Sequence, residues 1–169
     1  MTADKGDDLQ AIVRSLRQRW VTGVAIATVV TSDGRYRGIT VSSHLLVSEA
    51  PPIVAIAFAR AVSFHESLSI GGSVGVSILE WEHEFLADRA SGRGPIPDGA
   101  FTGVPHDLLG DGVPVIRGAL ARCVCRVQRL DDVGDHVLML AEVIDGDLQP
   151  DTDDPLVRYD GRYRRLEAE

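Results

Sequence analysis

Short segments rich in β-branched residues, separated by turn sequences, run through most of the chain and limit its fold more than any other feature. The predicted strands are residues 21–31, 35–43, 53–58, 74–79, 119–130, 136–146, 156–159 and 162–166. Ser32-Asp33-Gly34 and Asp160-Gly161 are of the residue types that form tight turns. Because tight turns join antiparallel strands, whereas parallel strands need long crossovers, the pattern predicts a mainly β, antiparallel barrel rather than a βαβ sheet.

Three short helices are expected between these strands. The first follows an acidic N-terminal segment and carries apolar residues at helical spacing: Leu9, Ile12, Val13 and Leu16. The others are predicted over residues 63–70, with Ser63 as the capping residue, and over residues 80–90.

Residues 91–113 contain many glycines and prolines and predict a long loop. Loops of this length inside a compact domain usually carry function or cover an interface. Since no internal repeat is present, residues 1–169 are expected to form one domain, with residues 1–8 as a flexible N-terminus.

The net charge of −8 opposes non-specific binding to nucleic acid or to an anionic membrane. The start of the chain lacks the apolar segment of a signal peptide, and the longest apolar run, residues 24–30, is too short to span a bilayer. Cys123 and Cys125 are interpreted as small buried residues of a protein in a reducing compartment. We therefore expect a cytoplasmic protein without nucleic-acid or membrane partners.

Motifs of several common enzyme classes are missing from the sequence. Gly71 and Gly72 lead into a predicted strand, so they do not form a dinucleotide-binding turn of the Rossmann type. His65-Glu66 is not followed by a second histidine at the spacing of a zinc protease, and the other histidines are scattered, so no metal site is predicted. A Ser-His-Asp hydrolase is disfavoured because no Gly-x-Ser-x-Gly motif is present.

Several segments, taken in order, resemble a known family. They read WVTGV at residues 20–24, GITVSS at 38–43, ARAVSFHESL at 59–68, GDHVL at 134–138 and DGRYR at 160–164. This ordered set is similar to the flavin reductase-like family, the short-chain NAD(P)H:flavin oxidoreductases that serve two-component monooxygenases. The resemblance extends over residues 20–164, which is nearly the whole chain.

The resemblance implies a homodimeric FMN-binding split barrel that holds flavin near its subunit interface. It implies that NAD(P)H reduces FMN or FAD by hydride transfer to the flavin ring, and that reduced flavin passes to a partner monooxygenase. Two alternatives stay open: an oxidoreductase of the same fold that retains its flavin and acts on a small organic substrate, and a non-catalytic flavin-binding dimer.

The resemblance also assigns site residues. The contacts to the flavin ring and ribityl chain fall on Thr40, Val41, Ser42 and Ser43. A strand end of this kind can offer hydroxyl and backbone groups to the polar edge of the ring, although it could equally be an ordinary strand end whose serines cap a turn.

The next segment contributes Ala59, Arg60, Ser63 and His65 to cofactor binding. Arg60 and Ser63 match the positions that bind the flavin phosphate, where a guanidinium and a hydroxyl at a helix start suit an anion. The alternative is a solvated arginine beside a helix-capping serine.

His136 is the expected catalytic residue, close to the nicotinamide or the flavin, and Tyr163 is expected to pack against the cofactor. The chain departs from the family pattern at three places. Phe64 replaces a threonine of many relatives, His44 is unusual, and Arg158 begins a run that differs from theirs. The loss of the threonine hydroxyl puts phosphate affinity and the choice between FMN and FAD in question.

Overall fold

The computed structural model describes residues 5–91, 101–149 and 154–166. In chain order, the elements are helix α1 (Lys5–Arg19), strands β1 (Thr22–Gly23), β2 (Ala25–Val30), β3 (Tyr36–Val41), β4 (His44–Glu49) and β5 (Pro52–Ala59), a 3-10 helix (Ser63–Ser67), strand β6 (Ser73–Ile78), a second 3-10 helix (Trp81–His83), helix α2 (Glu84–Ala90), and strands β7 (His106–Leu109), β8 (Val113–Ile116), β9 (Ala121–Val133), β10 (His136–Leu148), β11 (Val157–Tyr159) and β12 (Arg162–Arg164).

Seven strands form one sheet in the order β3-β2-β6-β9-β10-β5-β4. Every strand pair in it is antiparallel. A three-stranded sheet, β1-β11-β12, and the hairpin of β7 and β8 pack beside it. The prediction of a mainly β, antiparallel fold with a few short helices is confirmed.

The main core is enclosed by the seven-stranded sheet. Phe58 of β5 and Phe64 of the first 3-10 helix stack within it, with ring centroids 5.2 Å apart. Phe64 is only 2% exposed. The phenylalanine that replaces the family threonine is therefore a core residue that anchors the 3-10 helix to the sheet.

The β8 strand lies against the sheet at Gly75. A Cβ at Gly75 would lie 2.7 Å from the carbonyl oxygen of Pro114, closer than side chains approach. The hydroxyl of Thr28, which is fully buried, donates to the same carbonyl. The absence of a side chain at Gly75 thus allows this close approach.

Three strands, β4, β7 and β8, were not expected from the sequence. The β4 strand lies at the sheet edge, and its apolar residues Leu45, Leu46 and Val47 are exposed and consecutive, so it lacks the alternation of apolar and polar residues that marks a half-buried strand. Strand β7 falls inside the segment predicted as a loop over residues 91–113, and its partner β8 begins at Val113, so that prediction is wrong for residues 106–109 and 113. Its Asp107 accepts a hydrogen bond at 2.5 Å from Arg122, a partner that local sequence does not reveal.

Helix α1 begins at Lys5, four residues before the first apolar residue of the predicted helix. The flexibility expected of residues 1–8 stays a prediction. Residues 1–4 and 92–100 lie outside the described residues. None of the helices in the described part of the chain has the length and apolar character needed to cross a membrane.

Candidate functional site

A cavity of about 210 Å³ opens at the end of β3, beside the end of β5 and the start of β10. Six residues that the sequence analysis selected line it: Thr40, Val41, Ser42, Ser43, Ala59 and His136. Residues 40 and 41 end β3, while Ala59 ends β5 and pairs with His136 across the sheet. The sheet register therefore brings together segments that are about a hundred residues apart in sequence.

The polar side chains of this cavity are held in place by backbone groups. The hydroxyl of Thr40 donates to the carbonyl of Ala87 at 2.6 Å, and that of Ser43 donates to the carbonyl of Ala57 at 2.6 Å. A hydroxyl that donates one hydrogen bond can still accept another, so both oxygens remain available to an N–H group of a ligand. Among the described residues, Ser42 makes no side-chain hydrogen bond, and its hydroxyl can donate as well as accept.

His136 lies at the rim, with its side chain 29% exposed. Its Nδ1 lies 2.7 Å from a carboxylate oxygen of Asp135, and this contact holds the pKa of Asp135 below its ordinary value. The hydrogen bond fixes the orientation of the imidazole and leaves Nε2 for a ligand.

The residues predicted for the phosphate end of the flavin do not line this cavity. Arg60 forms an ion pair with Asp132, and His65 Nδ1 lies 2.8 Å from the carbonyl oxygen of Val62. Val62 itself lines the cavity, so these residues lie next to it.

Ser63 does not cap its helix. The capping position of the 3-10 helix is Val62, which makes no side-chain cap, and the Ser63 hydroxyl instead accepts a hydrogen bond from Arg37 at 2.9 Å. The expected helix cap is therefore wrong, because a guanidinium from β3 reaches this hydroxyl from 26 residues away in sequence.

Tyr163 lies elsewhere. It packs against a separate cluster of buried apolar residues that includes Leu79 and Leu156, and it does not line the cavity. Its contact with the cofactor therefore stays a prediction that this cavity does not support.

The sequence analysis missed two cationic residues of the cavity. Arg17 comes from the last turn of α1 and Arg158 from β11. Neither belongs to a local motif, and only the packing of both elements at one edge of the barrel brings them beside His136. With hydroxyls at one end and cationic groups at the rim, the donor set fits a flat heteroaromatic ring that carries a phosphorylated chain.

No three histidine, cysteine, aspartate or glutamate side chains come together to hold a metal ion in the described ranges. Cys123 and Cys125 are free thiols with Sγ atoms 3.7 Å apart.

Comparison with known proteins agrees with this geometry. The family described as "Flavin reductase like domain" matches residues 17–167. The FMN reductase (NADH) SmoA of Agrobacterium fabrum is 34% identical over 125 residues, which cover 74% of this chain and 69% of that protein.

Two solved structures have the same fold. The NADH:FAD oxidoreductase SgcE6 of Streptomyces globisporus C-1027 superposes with a TM-score of 0.86 at 32% identity, covering 100% of this chain and 98% of that one. The styrene monooxygenase flavin reductase of Pseudomonas putida S12 superposes with a TM-score of 0.82 at 28% identity, covering 93% and 98%. The split-barrel prediction and the family resemblance are both confirmed. The chain belongs to the flavin reductase-like domain family.

Proposed function

We propose that this protein is an NAD(P)H:flavin oxidoreductase that reduces FMN or FAD. The observation that carries the proposal is the single cavity in which Thr40, Ser42 and Ser43 meet His136. Family membership and the relatives named as NADH-dependent reductases of FMN and of FAD support the same conclusion.

The cavity of about 210 Å³ is smaller than pockets that enclose a whole ligand, which measure roughly 300–1,000 Å³. We infer that it holds the ring end of the flavin and leaves one face of the ring open for the nicotinamide.

The nicotinamide supplies a hydride from its C4 to N5 of the flavin ring, and the two cofactors carry the chemistry. The hydroxyls of Thr40 and Ser43, fixed on backbone carbonyls, orient the polar edge of the ring. Arg17 and Arg158 place positive charge at the rim of the same cavity. Positive charge there stabilises the ring as it becomes more negative during reduction.

His136 positions the nicotinamide in this proposal. Its Nδ1 is held by Asp135. In the neutral imidazole with Nδ1 protonated, Nε2 accepts a hydrogen bond from the nicotinamide carboxamide.

The protein is also proposed to be a homodimer. Leu9, Ile12, Val13 and Leu16 of α1 are between 53% and 61% exposed. Leu45, Leu46 and Val47 of β4 are exposed as well. Exposed apolar patches of this kind are usually covered by a protein partner. Both lie close to the cavity, because α1 contributes Arg17 to its lining and β4 directly follows Ser43.

A partner monooxygenase in the cytoplasm is the proposed recipient of the reduced flavin. Two structural relatives are named as reductases of a styrene monooxygenase and of a two-component tryptophan halogenase. The two free thiols, Cys123 and Cys125, are typical of a reducing compartment.

The test is steady-state oxidation of NADH and NADPH by the purified protein, with riboflavin, FMN or FAD added. We expect oxidation that depends on added flavin and saturates with it. Tightly retained flavin without NAD(P)H turnover would instead support the flavin-retaining alternative. A protein that neither binds nor reduces flavin would support the non-catalytic one.

A further inference from the structure

Arg37 of β3 is a half-buried arginine held by two serines. Its guanidinium donates to the hydroxyls of Ser63 and Ser67, each at 2.9 Å, and lies 3.4 Å from the carbonyl oxygen of Ser63. In the described part of the chain, no carboxylate forms an ion pair with it. A partly desolvated cation without a counter-charge is costly, and a bound anion would remove that cost.

Arg37, Ser63 and Ser67, called here the Arg-Ser-Ser cluster, lie between two cavities. Ile39 and Val62 line the cavity described above, whereas Arg37 and Ser67 line a larger groove of about 830 Å³. Arg37 and Ile39 alternate along the same strand, so their side chains leave the same face of the sheet. The two cavities therefore flank one Arg-Ser-Ser cluster.

Among the described residues, Arg37 is the one arginine lining the groove that has no ion-pair partner. Arg35 contacts the Asp33 carboxylate at 2.6 Å, and this pair is exposed at the turn after β2. Glu66 lies on the exposed rim and forms no ion pair among the described residues.

We propose that Arg37, Ser63 and Ser67 bind the phosphoryl groups of the flavin, and that the larger groove takes the adenylate half of FAD. The inference rests on the proposed flavin reductase activity and deepens it, because it assigns FAD rather than FMN as the preferred flavin. The order ring, diphosphate, adenosine along FAD matches the order small cavity, Arg-Ser-Ser cluster, large groove.

The chemistry of the cluster suits a phosphate. A guanidinium binds phosphate oxygens through two parallel N–H bonds, and its five N–H groups exceed those used on the serines. Both serine hydroxyls accept from Arg37, so each still has a proton to donate to a phosphate oxygen. Arg60, by contrast, already has Asp132 as its counter-charge.

Calorimetric titration of riboflavin, FMN and FAD into the full-length protein tests the inference. The three ligands share the ring and differ in phosphate and adenylate. The wild type should bind FAD more tightly than FMN, and FMN more tightly than riboflavin. The loss of charge-assisted hydrogen bonds in Arg37→Gln should weaken FAD binding about tenfold or more. Riboflavin affinity should be unchanged in this variant.

Arg129→Gln and Arg165→Gln are the matched controls, since each removes an arginine that is already paired, with Asp131 and Asp154 respectively, and that lines neither cavity. Each should leave the affinity for FAD close to that of the wild type. Loss of FAD affinity in Arg60→Gln but not in Arg37→Gln would overturn the inference. So would equal losses of riboflavin and FAD in Arg37→Gln, or equal affinity of the wild type for FMN and FAD.

Two further outcomes are distinguishable. If Arg37→Gln leaves every flavin affinity unchanged but raises KM for NADPH relative to NADH, the cluster binds the extra phosphate of NADPH and the inference is wrong. Riboflavin carries no phosphate, so oxidation of NADH with riboflavin tests the proposed reductase function independently of the proposed phosphate site. If the wild type oxidises NADH with riboflavin and Arg37→Gln binds FAD as tightly as the wild type, the proposed reductase function holds and only the phosphate assignment is wrong.

Discussion

At the scale of single residues, the structure separates groups that face the cavity from groups that serve the fold. Thr40, Ser42 and Ser43 were predicted from their resemblance to a family motif, and they lie together. The partners of Arg37 and Arg60 could not be predicted, because each lies far away in sequence: Ser63 for the first and Asp132 for the second. Contacts between residues so far apart in sequence depend on how the strands pair in the sheet, and not on the spacing of residues along the chain.

His136 gives a first prediction at this scale. Replacement by alanine removes the acceptor proposed for the nicotinamide while leaving the flavin hydroxyls in place. We expect a raised KM for NADH and an unchanged Kd for riboflavin, measured by steady-state kinetics and by fluorescence quenching. Asp135→Asn tests the orienting role, and should raise KM less than the loss of the imidazole. A Kd for riboflavin that rises as much as KM would contradict this division of roles.

His44 gives a second prediction, on pH. Burial lowers the pKa of His44, and its Nδ1 is buried without a hydrogen-bond partner in the described structure. The unfolded chain therefore binds a proton at this residue at a pH where the folded chain does not, so stability rises with pH across that interval. The contribution is fully present above about pH 6.5, the ordinary histidine value, and is lost as the pH falls below it.

The measurement is Tm between pH 8 and pH 5.5 for the wild type and His44→Phe. We expect the decline of Tm on acidification to be smaller in the variant. His65→Phe is the control, since that ring lies at the surface of a 3-10 helix and its Nδ1 has a partner. Identical declines in the wild type and His44→Phe would show that His44 does not carry the effect.

At the scale of elements, six of the seven strands of the main sheet were predicted, whereas its edge strand β4 and the hairpin of β7 and β8 were not. β-branched runs identify β2, β5, β6, β9 and β10, because burial demands apolar residues there. The exposed β4 is set by its pairing with β5, and the short β7 and β8 are set by their pairing with each other. Local sequence carries little of that information.

Gly75 tests the packing of β8 on the sheet. Gly75→Ala places a Cβ too close to the Thr28 hydroxyl and 2.7 Å from the Pro114 carbonyl oxygen, and it should destabilise the fold by about 1–3 kcal/mol, the usual cost of overpacking. Gly23→Ala is the control, because its Cβ would meet its nearest neighbour, the His44 ring, at an ordinary 3.6 Å. Urea denaturation measures both. Equal, small losses of stability in the two variants would contradict the close packing at Gly75.

At the scale of the whole molecule, α1 is the element that most needs a partner, because its described residues are all exposed. We expect the wild type to be a dimer by light scattering coupled to gel filtration. Leu16→Asp, in the apolar stripe, should shift it towards monomer because burial of a charge in such an interface is costly. Gln10→Asp on another face of the helix should leave the dimer intact. A monomeric wild type would contradict the dimer proposal.

The whole account depends on flavin entering the cavity at the end of β3. The most direct measurement is titration of riboflavin into Ser42→Phe, which fills the cavity, and into Ser32→Phe, which adds the same ring at an exposed turn. We predict that Ser42→Phe loses riboflavin binding and that Ser32→Phe binds like the wild type, with both variants folded by circular dichroism. Wild-type riboflavin affinity in Ser42→Phe would show that flavin binds elsewhere and would contradict the account.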